Sequence, residues 1–215
     1  MERFRDLKED LSNLSSYNGT GMSLEEQKEL FSDKDSLREY LYDKWFSDIM
    51  ENAITVARYC DDESVVDKIW FNEWEDGLED ILMESYVDWL MDEYSFWWAG
   101  HDTLPEIQPD DKVKLYRAVG ADDFPEISLS QEHLGNCWTY DRETAETIEA
   151  SVVGRKRFIF EAEVRAECID FVLSAIYQSW DDSFMEEREV RVVDTDGIDL
   201  LKVVDLDGNI YWEKK

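Results

Sequence analysis

The chain has 215 residues and a formal net charge of −31 at pH 7, with 43% hydrophobic and 13% aromatic residues. This length suits one large domain or two small ones, and the apolar content is sufficient for a packed core, which excludes a disordered chain. The acidic charge argues against anionic membrane surfaces and against direct binding to a nucleic-acid phosphate backbone, which requires Lys and Arg. No apolar run reaches the roughly 18 residues of a membrane span.

Cysteine and histidine are scarce, and this limits the kinds of site that the chain can form. The three cysteines, Cys60, Cys137 and Cys168, lack metal-like spacing, so we expect reduced thiols in a cytoplasmic protein. The first residues lack the apolar stretch of a signal peptide, which agrees with that expectation. With His101 and His133 as the only histidines, a histidine-rich metal centre is excluded and no metal ligands are predicted.

Residues 1–105 are predicted to form an acidic helical region. After a loop at 12–21, the sequence from Ser23 to Glu26 has the form of a capping box and should start a helix. Apolar residues three or four positions apart predict a longer helix over about 36–59. A cap at 61–64 should start a further helical region that continues towards residue 94. Its broad apolar face would contain Trp70, Trp74, Leu78, Ile81, Met83, Val87, Leu90 and Tyr94.

Residues 106–215 are predicted to form a β-rich domain, which makes the expected fold class α+β. Gly100, Pro105 and Pro109 mark the linker before it. Short β-rich runs predict strands at about 113–119, 157–164, 188–193, 200–204 and 209–213. A turn at Asp207 and Gly208 should join the last two strands as a hairpin. A helix is predicted over about 141–150, with Asp141 as its cap.

A long acidic stretch suggests one possible function. No Lys or Arg occurs between Ile69 and Asp111. Glu73, Asp76, Asp80, Glu84, Asp88 and Asp92 recur every three or four residues, so on a helix they would form one carboxylate stripe. A solvated helical face is the simpler interpretation. The alternative is a stripe that imitates a phosphate backbone and binds a basic partner, as expected of an acidic inhibitor of anti-restriction or anti-CRISPR type.

The second half carries an ordered series of residues that can handle a charged sugar-phosphate. Arg117 offers a planar fork for a phosphate. Glu187 and Glu189 would project from the same face of a strand. A fixed carboxylate stabilises the positive charge that builds on a sugar carbon as a glycosidic bond breaks, and its neighbour can orient or deprotonate an acceptor. Each of these residues also has a purely structural interpretation. The two glutamates can be a chance pair in an acidic chain, Arg117 can form a surface ion pair, and Trp138 can belong to the hydrophobic core.

These motifs, in this order, resemble the mono-ADP-ribosyltransferase family, in the branch with an Arg, a Ser/Thr-containing strand and a Glu-x-Glu motif. Leu115-Tyr116-Arg117 looks like the first motif and Gly135-Asn136-Cys137-Trp138-Thr139 looks like the second. Glu187-Arg188-Glu189 looks like the third, with a strand at 157–164 between them. The resemblance covers about residues 110–215. The size and the preceding helical half also resemble the small ADP-ribosyltransferases of bacterial viruses.

The resemblance implies a split β-sandwich that binds NAD in its cleft. It would modify a nucleic-acid component or a host protein, and we expect a host protein target to have a basic surface. Arg117, Thr139 and Trp138 would bind NAD, Glu189 would be catalytic, and Glu187 would select or activate the acceptor. Cys137 stands where the family usually has serine, which leaves an inactive, repurposed fold with an inhibitor function as the alternative. Residues 161–163 also read Glu-x-Glu, but the family places a strand in the interval before its third motif, so the later pair is preferred.

Overall fold

The computed structural model describes residues 19–60, 62–93, 107–147, 155–180 and 189–215. These residues form a mixed α/β structure, with most helices in the first half and an antiparallel sheet in the second, which confirms the expected class in outline. The helices are α1 (Leu24–Ser32), α2 (Lys34–Lys44), α3 (Phe46–Glu51), α4 (Ala53–Val56), α5 (Glu63–Trp70), α6 (Leu78–Glu93), α7 (Gln131–Leu134), α8 (Arg142–Thr147) and α9 (Phe171–Trp180). The strands are β1 (Lys112–Ala121), β2 (Cys137–Thr139), β3 (Lys156–Arg165), β4 (Ile169–Asp170), β5 (Glu189–Val192), β6 (Ile198–Asp205) and β7 (Ile210–Glu213).

The first half begins as predicted and then departs from the expected helix lengths. At the capping box before α1, the Ser23 hydroxyl accepts from the Glu26 N–H at 3.3 Å and the Glu26 carboxylate accepts from the Ser23 N–H at 2.7 Å. The prediction of one helix over 36–59 is wrong, because the chain leaves helical geometry at Trp45 and Asn52. The Asn52 side chain donates to the Asp48 carbonyl at 2.8 Å, a local bond that competes with helix continuation.

The next expected helix is also interrupted. Asp62 caps α5 as predicted, since its carboxylate accepts a hydrogen bond from the Ser64 N–H at 2.9 Å. The prediction of a continuous helix towards residue 94 is wrong, because a segment at 71–77 separates α5 from α6. Asn72 and Gly77 have positive φ angles of 59° and 86°, which a helix does not contain. Residue 94 itself lies outside the described residues.

The strands form one seven-stranded sheet in the order β4-β5-β2-β1-β3-β6-β7. β1 and β3 pair along their full lengths, whereas β1 and β2 share only the pair Tyr116 with Thr139. The five predicted strands are present with small shifts of their ends, while β4 and the helix α9 are not anticipated by the sequence patterns. The predicted hairpin turn joins β6 to β7, and Gly208 adopts a φ of 82° there.

One hydrophobic core joins the helices to the sheet. It contains Leu37 and Ile49 from the helices together with Phe160 and other strand residues. Gln27 of α1 adds polar contacts, since its Oε1 accepts from the Phe171 N–H at 2.7 Å at the start of α9. The described residues on the two sides of the expected boundary at 105/106 therefore pack in one core.

The apolar face expected on α6 is only partly buried. Leu78, Met83, Val87 and Leu90 are buried, whereas Ile81 and the two tryptophans at 70 and 74 are exposed. The break between α5 and α6 leaves Trp70 at the C-terminal end of α5 and places Trp74 outside both helices. None of the helices formed by the described residues combines the length and the apolar character needed to cross a membrane.

Candidate functional site

The candidate site lies where β1, β2 and β5 are neighbours in the sheet. Thr139 pairs with Tyr116 of β1 on one side and with Glu189 of β5 on the other, so these residues form one row across three strands. This row is the only paired position between β1 and β2 in the described chain. Arg117 follows Tyr116 along β1, and Cys137 lies two residues before Thr139 along β2. Because the two strands are antiparallel, Arg117 and Cys137 lie on the same side of this single pair.

The Arg117 side chain reaches from β1 to the start of β2. Its Nη1 atom donates to the Cys137 carbonyl oxygen at 3.3 Å. The guanidinium lies directly against Gly135, where an added Cβ would collide with it. Gly135 also has a φ of 71°, a conformation that side-chain-bearing residues rarely adopt. Glycine therefore both permits the turn before β2 and leaves the room that Arg117 occupies.

Glu189 is held in the site by an arginine two residues later on the same strand. The Arg191 Nε atom lies 2.5 Å from Glu189 Oε1, and the two side chains are only 10% and 20% exposed. Arg191 Nη1 lies 3.0 Å from the Cys137 sulfur. Within the described residues, neither Glu189 Oε1 nor Arg191 Nε has a partner in hydrogen-bonding geometry. The carboxylate is thus balanced by the charge of Arg191.

Helix α9 fixes the position of β5. The Ser174 hydroxyl accepts from the Arg191 N–H at 2.9 Å, and the Gln178 side chain donates to the Glu189 carbonyl at 2.6 Å. The Tyr177 ring lies under the Arg191 guanidinium, with 4.5 Å between Cζ and the ring centroid, in a cation–π contact. Since Tyr177 and Gln178 lie three and four positions after Ser174, one side of α9 holds both the strand backbone and the arginine.

Burial and nearby charges shift the ionisation of the site residues. Burial raises the pKa of the Glu189 carboxyl, although the charges of Arg191 and Arg117 oppose the rise. Burial also raises the pKa of the Cys137 thiol, and the Glu189 carboxylate adds to this effect. Burial lowers the pKa of the Arg117 guanidinium, but arginine stays protonated in proteins. At neutral pH the site therefore holds a protonated thiol and two guanidinium groups beside one carboxyl group whose pKa is raised.

This combination of charges suits an anionic ligand. Two guanidinium groups against one carboxylate leave an excess of positive charge, and planar guanidinium groups are the preferred partners of phosphates. Within the described ranges, no group of three or more His, Cys, Asp or Glu side chains is placed to hold a metal ion. The ligand chemistry that the described side chains fit best is therefore a phosphate group with further polar contacts.

The other predicted site residues are Thr139, Trp138 and Glu187. Thr139 is buried, and its hydroxyl accepts from the Asp141 N–H at 3.2 Å, so it shapes the turn after β2. Trp138 is 2% exposed and its indole N–H donates to the Gly135 carbonyl at 2.9 Å. The prediction that Trp138 binds NAD therefore finds no support, because the core covers its ring. Glu187 lies outside the described residues.

Two residues of the cluster are missed by the sequence motifs. Arg191 lies on the same strand face as Glu189, so the period of two along β5 is a signal that identifies it. Tyr177 has no comparable signal in the sequence. Its contact with Arg191 depends on how α9 packs against the sheet, which the spacing of residues along the chain does not determine.

The rival carboxylate pair on β3 is engaged elsewhere. Glu161 is buried and surrounded by three cations. These are Arg142, Lys202 and Lys114, at 3.0, 3.3 and 3.4 Å from its carboxylate oxygens. In the sheet Glu161 lies opposite Tyr116. Its carboxylate is engaged by these three cations, whereas the charges of Arg191 and Arg117 act on Glu189.

The expected carboxylate stripe is interrupted and partly neutralised. Residues 73 and 76 lie in the segment before α6 and not on the helix. On α6, the Lys34 Nζ atom lies 2.5 Å from carboxylate oxygens of both Glu84 and Asp88. The Tyr42 hydroxyl donates to Asp80 at 2.6 Å. Much of the helical part of the stripe thus contributes to packing between α2 and α6.

Comparison with known proteins gives no family assignment for this chain. No protein-family model, no curated protein and no solved structure matches it. The geometry of the cluster around Glu189 is therefore the main guide to function.

Proposed function

We propose that the cluster around Glu189 is the active centre of an NAD-dependent mono-ADP-ribosyltransferase. The observation that supports this most directly is that the largely buried Glu189 carboxyl pairs with Arg191 and also lies in the electrostatic field of Arg117, at the junction where β1 and β2 share one pair. Such a cluster offers both phosphate recognition and stabilisation of positive charge. The nearly divided sheet at this junction also agrees with the split β-sandwich that the family resemblance implies.

The side chains of the site fit the phosphate and ribose groups of NAD. Arg117 and Arg191 supply positive charge in a chain whose net charge is −31. The absence of a side chain at Gly135 leaves the space that the Arg117 guanidinium occupies. We infer that Arg117 binds a phosphate and that the Glu189 carboxylate faces the ribose.

NAD, when bound, supplies an ADP-ribosyl group whose bond to nicotinamide breaks, with the bonding electrons leaving on the nicotinamide. The ionised Glu189 carboxylate stabilises the positive charge that develops at the ribose carbon. Arg191 orients this carboxylate through their ion pair, and the Cys137 sulfur in turn contacts Arg191. Glu187 keeps the role that the resemblance implies, which is to accept the proton of the acceptor as its lone pair bonds to the ribose carbon.

The raised pKa of Glu189 gives this proposal a definite pH dependence. The catalytic form carries an ionised carboxylate, whose ordinary pKa of 4.5 is raised by burial. Activity should therefore rise with pH through a value above 4.5 and then level off. A pH profile of nicotinamide release measures this value, and a midpoint at or below the ordinary carboxyl pKa would contradict the assignment of Glu189.

The proposal is tested by incubating the protein with NAD labelled in its adenosine part, in the presence of a cell lysate. Nicotinamide release and label transfer are measured for the wild type, for Glu189→Gln and for the control Glu163→Gln. Glu163 is a partly exposed carboxylate on β3 that pairs with Lys112. We expect Glu189→Gln to lower the rate by about 100-fold or more, and Glu163→Gln to leave it unchanged. Equal rates for the two variants, or no turnover by the wild type, would refute the proposal.

The inhibitor alternative requires carboxylates that are free to meet a basic partner. On α6, Glu84 and Asp88 are already paired with Lys34, which reduces the charge available there. The feature that still favours a binding function is the exposed segment between α5 and α6, which is both acidic and aromatic. An exposed acidic and aromatic segment is equally expected of a transferase whose acceptor protein has a basic surface.

A further inference from the structure

Three large aromatic side chains are exposed to solvent on one short segment. Residues 70–77, hereafter the aromatic loop, comprise the last residue of α5 and the segment that joins α5 to α6, and all of them are exposed. Trp70, Phe71 and Trp74 are 64%, 68% and 41% exposed. Aromatic side chains stabilise a fold when they are buried, so three of them on one exposed loop contribute little to folding. Adjacent exposed aromatic groups are typical of a surface that binds a partner.

The aromatic loop is held in place by its own hydrogen bonds. The Glu73 N–H donates to the Lys68 carbonyl at 2.7 Å, and the Trp74 indole N–H donates to the Asn72 side chain at 3.1 Å. The Lys68 ammonium pairs with the Glu75 carboxylate. These bonds tie the loop to the end of α5 and set the position of its aromatic groups. A partner would therefore meet a largely ordered surface, which lowers the entropic cost of binding.

The charge around the aromatic loop determines which partner fits it. Residues 67–80 contain six acidic residues and a single lysine. Within the described chain, Glu73 and Asp76 form no salt bridge, so both can pair with a cation from outside. Tryptophan faces also attract Lys and Arg through cation–π contacts. We propose that the aromatic loop docks a protein surface that presents Lys and Arg beside apolar side chains.

Charge also argues against a second copy of this chain as the occupant. Docking one aromatic loop on another would bring together two acidic segments of chains that each carry a net charge of −31. A basic partner gains attraction from the same charges. Binding at the loop needs none of the residues around Glu189, so it stands independently of the transferase activity.

The proposal is tested with two synthetic peptides of equal positive charge, one of Lys and Leu and one of Lys and Ser. Binding to the full-length protein is measured by isothermal titration calorimetry at physiological ionic strength. The variant Trp70→Ser/Phe71→Ser/Trp74→Ser removes the aromatic groups and keeps the net charge. Leu206→Ser/Ile210→Ser is the matched control, since both residues are 57% exposed at the β6–β7 hairpin.

We expect the triple variant to weaken binding of the Lys/Leu peptide by about tenfold or more, and the control variant to change it by less than about twofold. The Lys/Ser peptide should bind both variants like the wild type. Equal binding of the Lys/Leu peptide by all three proteins would overturn the proposal, because general charge would then suffice. Sedimentation that shows a wild-type dimer, lost in the triple variant, would assign the loop to self-association and would equally overturn it.

Discussion

Replacing Arg191 by methionine tests whether the cluster around Glu189 is held together by charge. Methionine keeps much of the length of the arginine side chain and removes its charge and its hydrogen-bond donors. The change breaks the ion pair with Glu189, the contact with the Cys137 sulfur and the cation–π contact with Tyr177. The Glu189 carboxylate would then remain largely buried, with Arg117 as its remaining cationic neighbour.

The expected loss of stability is large because both members of the pair are mostly buried. Removing one partner of a buried ion pair costs about 3–5 kcal/mol, and a partly desolvated cation–π contact adds about 1 kcal/mol. Arg117 and the apolar methionine side chain offset part of this. We therefore expect a decrease in the free energy of unfolding of about 3 kcal/mol at pH 7, which corresponds to a drop in Tm of roughly 6–12 °C.

Urea unfolding followed by tryptophan fluorescence measures this loss. The control is Arg38→Met, because Arg38 is half exposed and its 3.5 Å pair with Glu84 lies on the surface, where we expect a change below about 0.5 kcal/mol. The double variant Glu189→Gln/Arg191→Met should be more stable than additivity predicts by at least about 1 kcal/mol. Equal losses for the two arginine variants, or strict additivity in the double variant, would refute the reasoning.

Three further predictions concern the room around Arg117, the contact of α1 with α9 and the titration of Glu189. Gly135→Ala should reduce the free energy of unfolding by at least about 1 kcal/mol more than Gly21→Ala, since both have positive φ but only Gly135 lies against a guanidinium; equal losses in urea unfolding would contradict this. Gln27→Ala should cost about 2 kcal/mol, because it leaves buried N–H groups at the start of α9 without their acceptor; a thermal unfolding curve like that of the wild type would exclude this role. The native state binds the Glu189 proton more tightly than the unfolded state, so this group lowers stability as pH rises from 4.5 through the raised pKa. The stability of Glu189→Gln relative to the wild type should therefore increase over that range, and a constant difference would contradict the shift.

The sequence by itself determined the features that depend on neighbouring residues. The capping box at Ser23, the cap at Asp62 and the turn at Gly208 follow from local hydrogen bonding and backbone preference, and each is present. Period-two patterns located the longer strands. The placement of Arg117 and Glu189 on separate strands was also predictable, because both residues belong to ordered motifs with strand-like patterns.

Only the tertiary structure decided which surfaces cover each element. Helical periodicity gives the direction of a side chain on its own helix, but it does not reveal what lies opposite. It therefore gave no indication that Lys34 neutralises part of the acidic stripe, or that Trp70 and Trp74 remain exposed. Arg191 meets Tyr177 only because α9 packs against β5. The charge balance of the site thus arises from contacts between residues distant in sequence, and those contacts exist only in the folded chain.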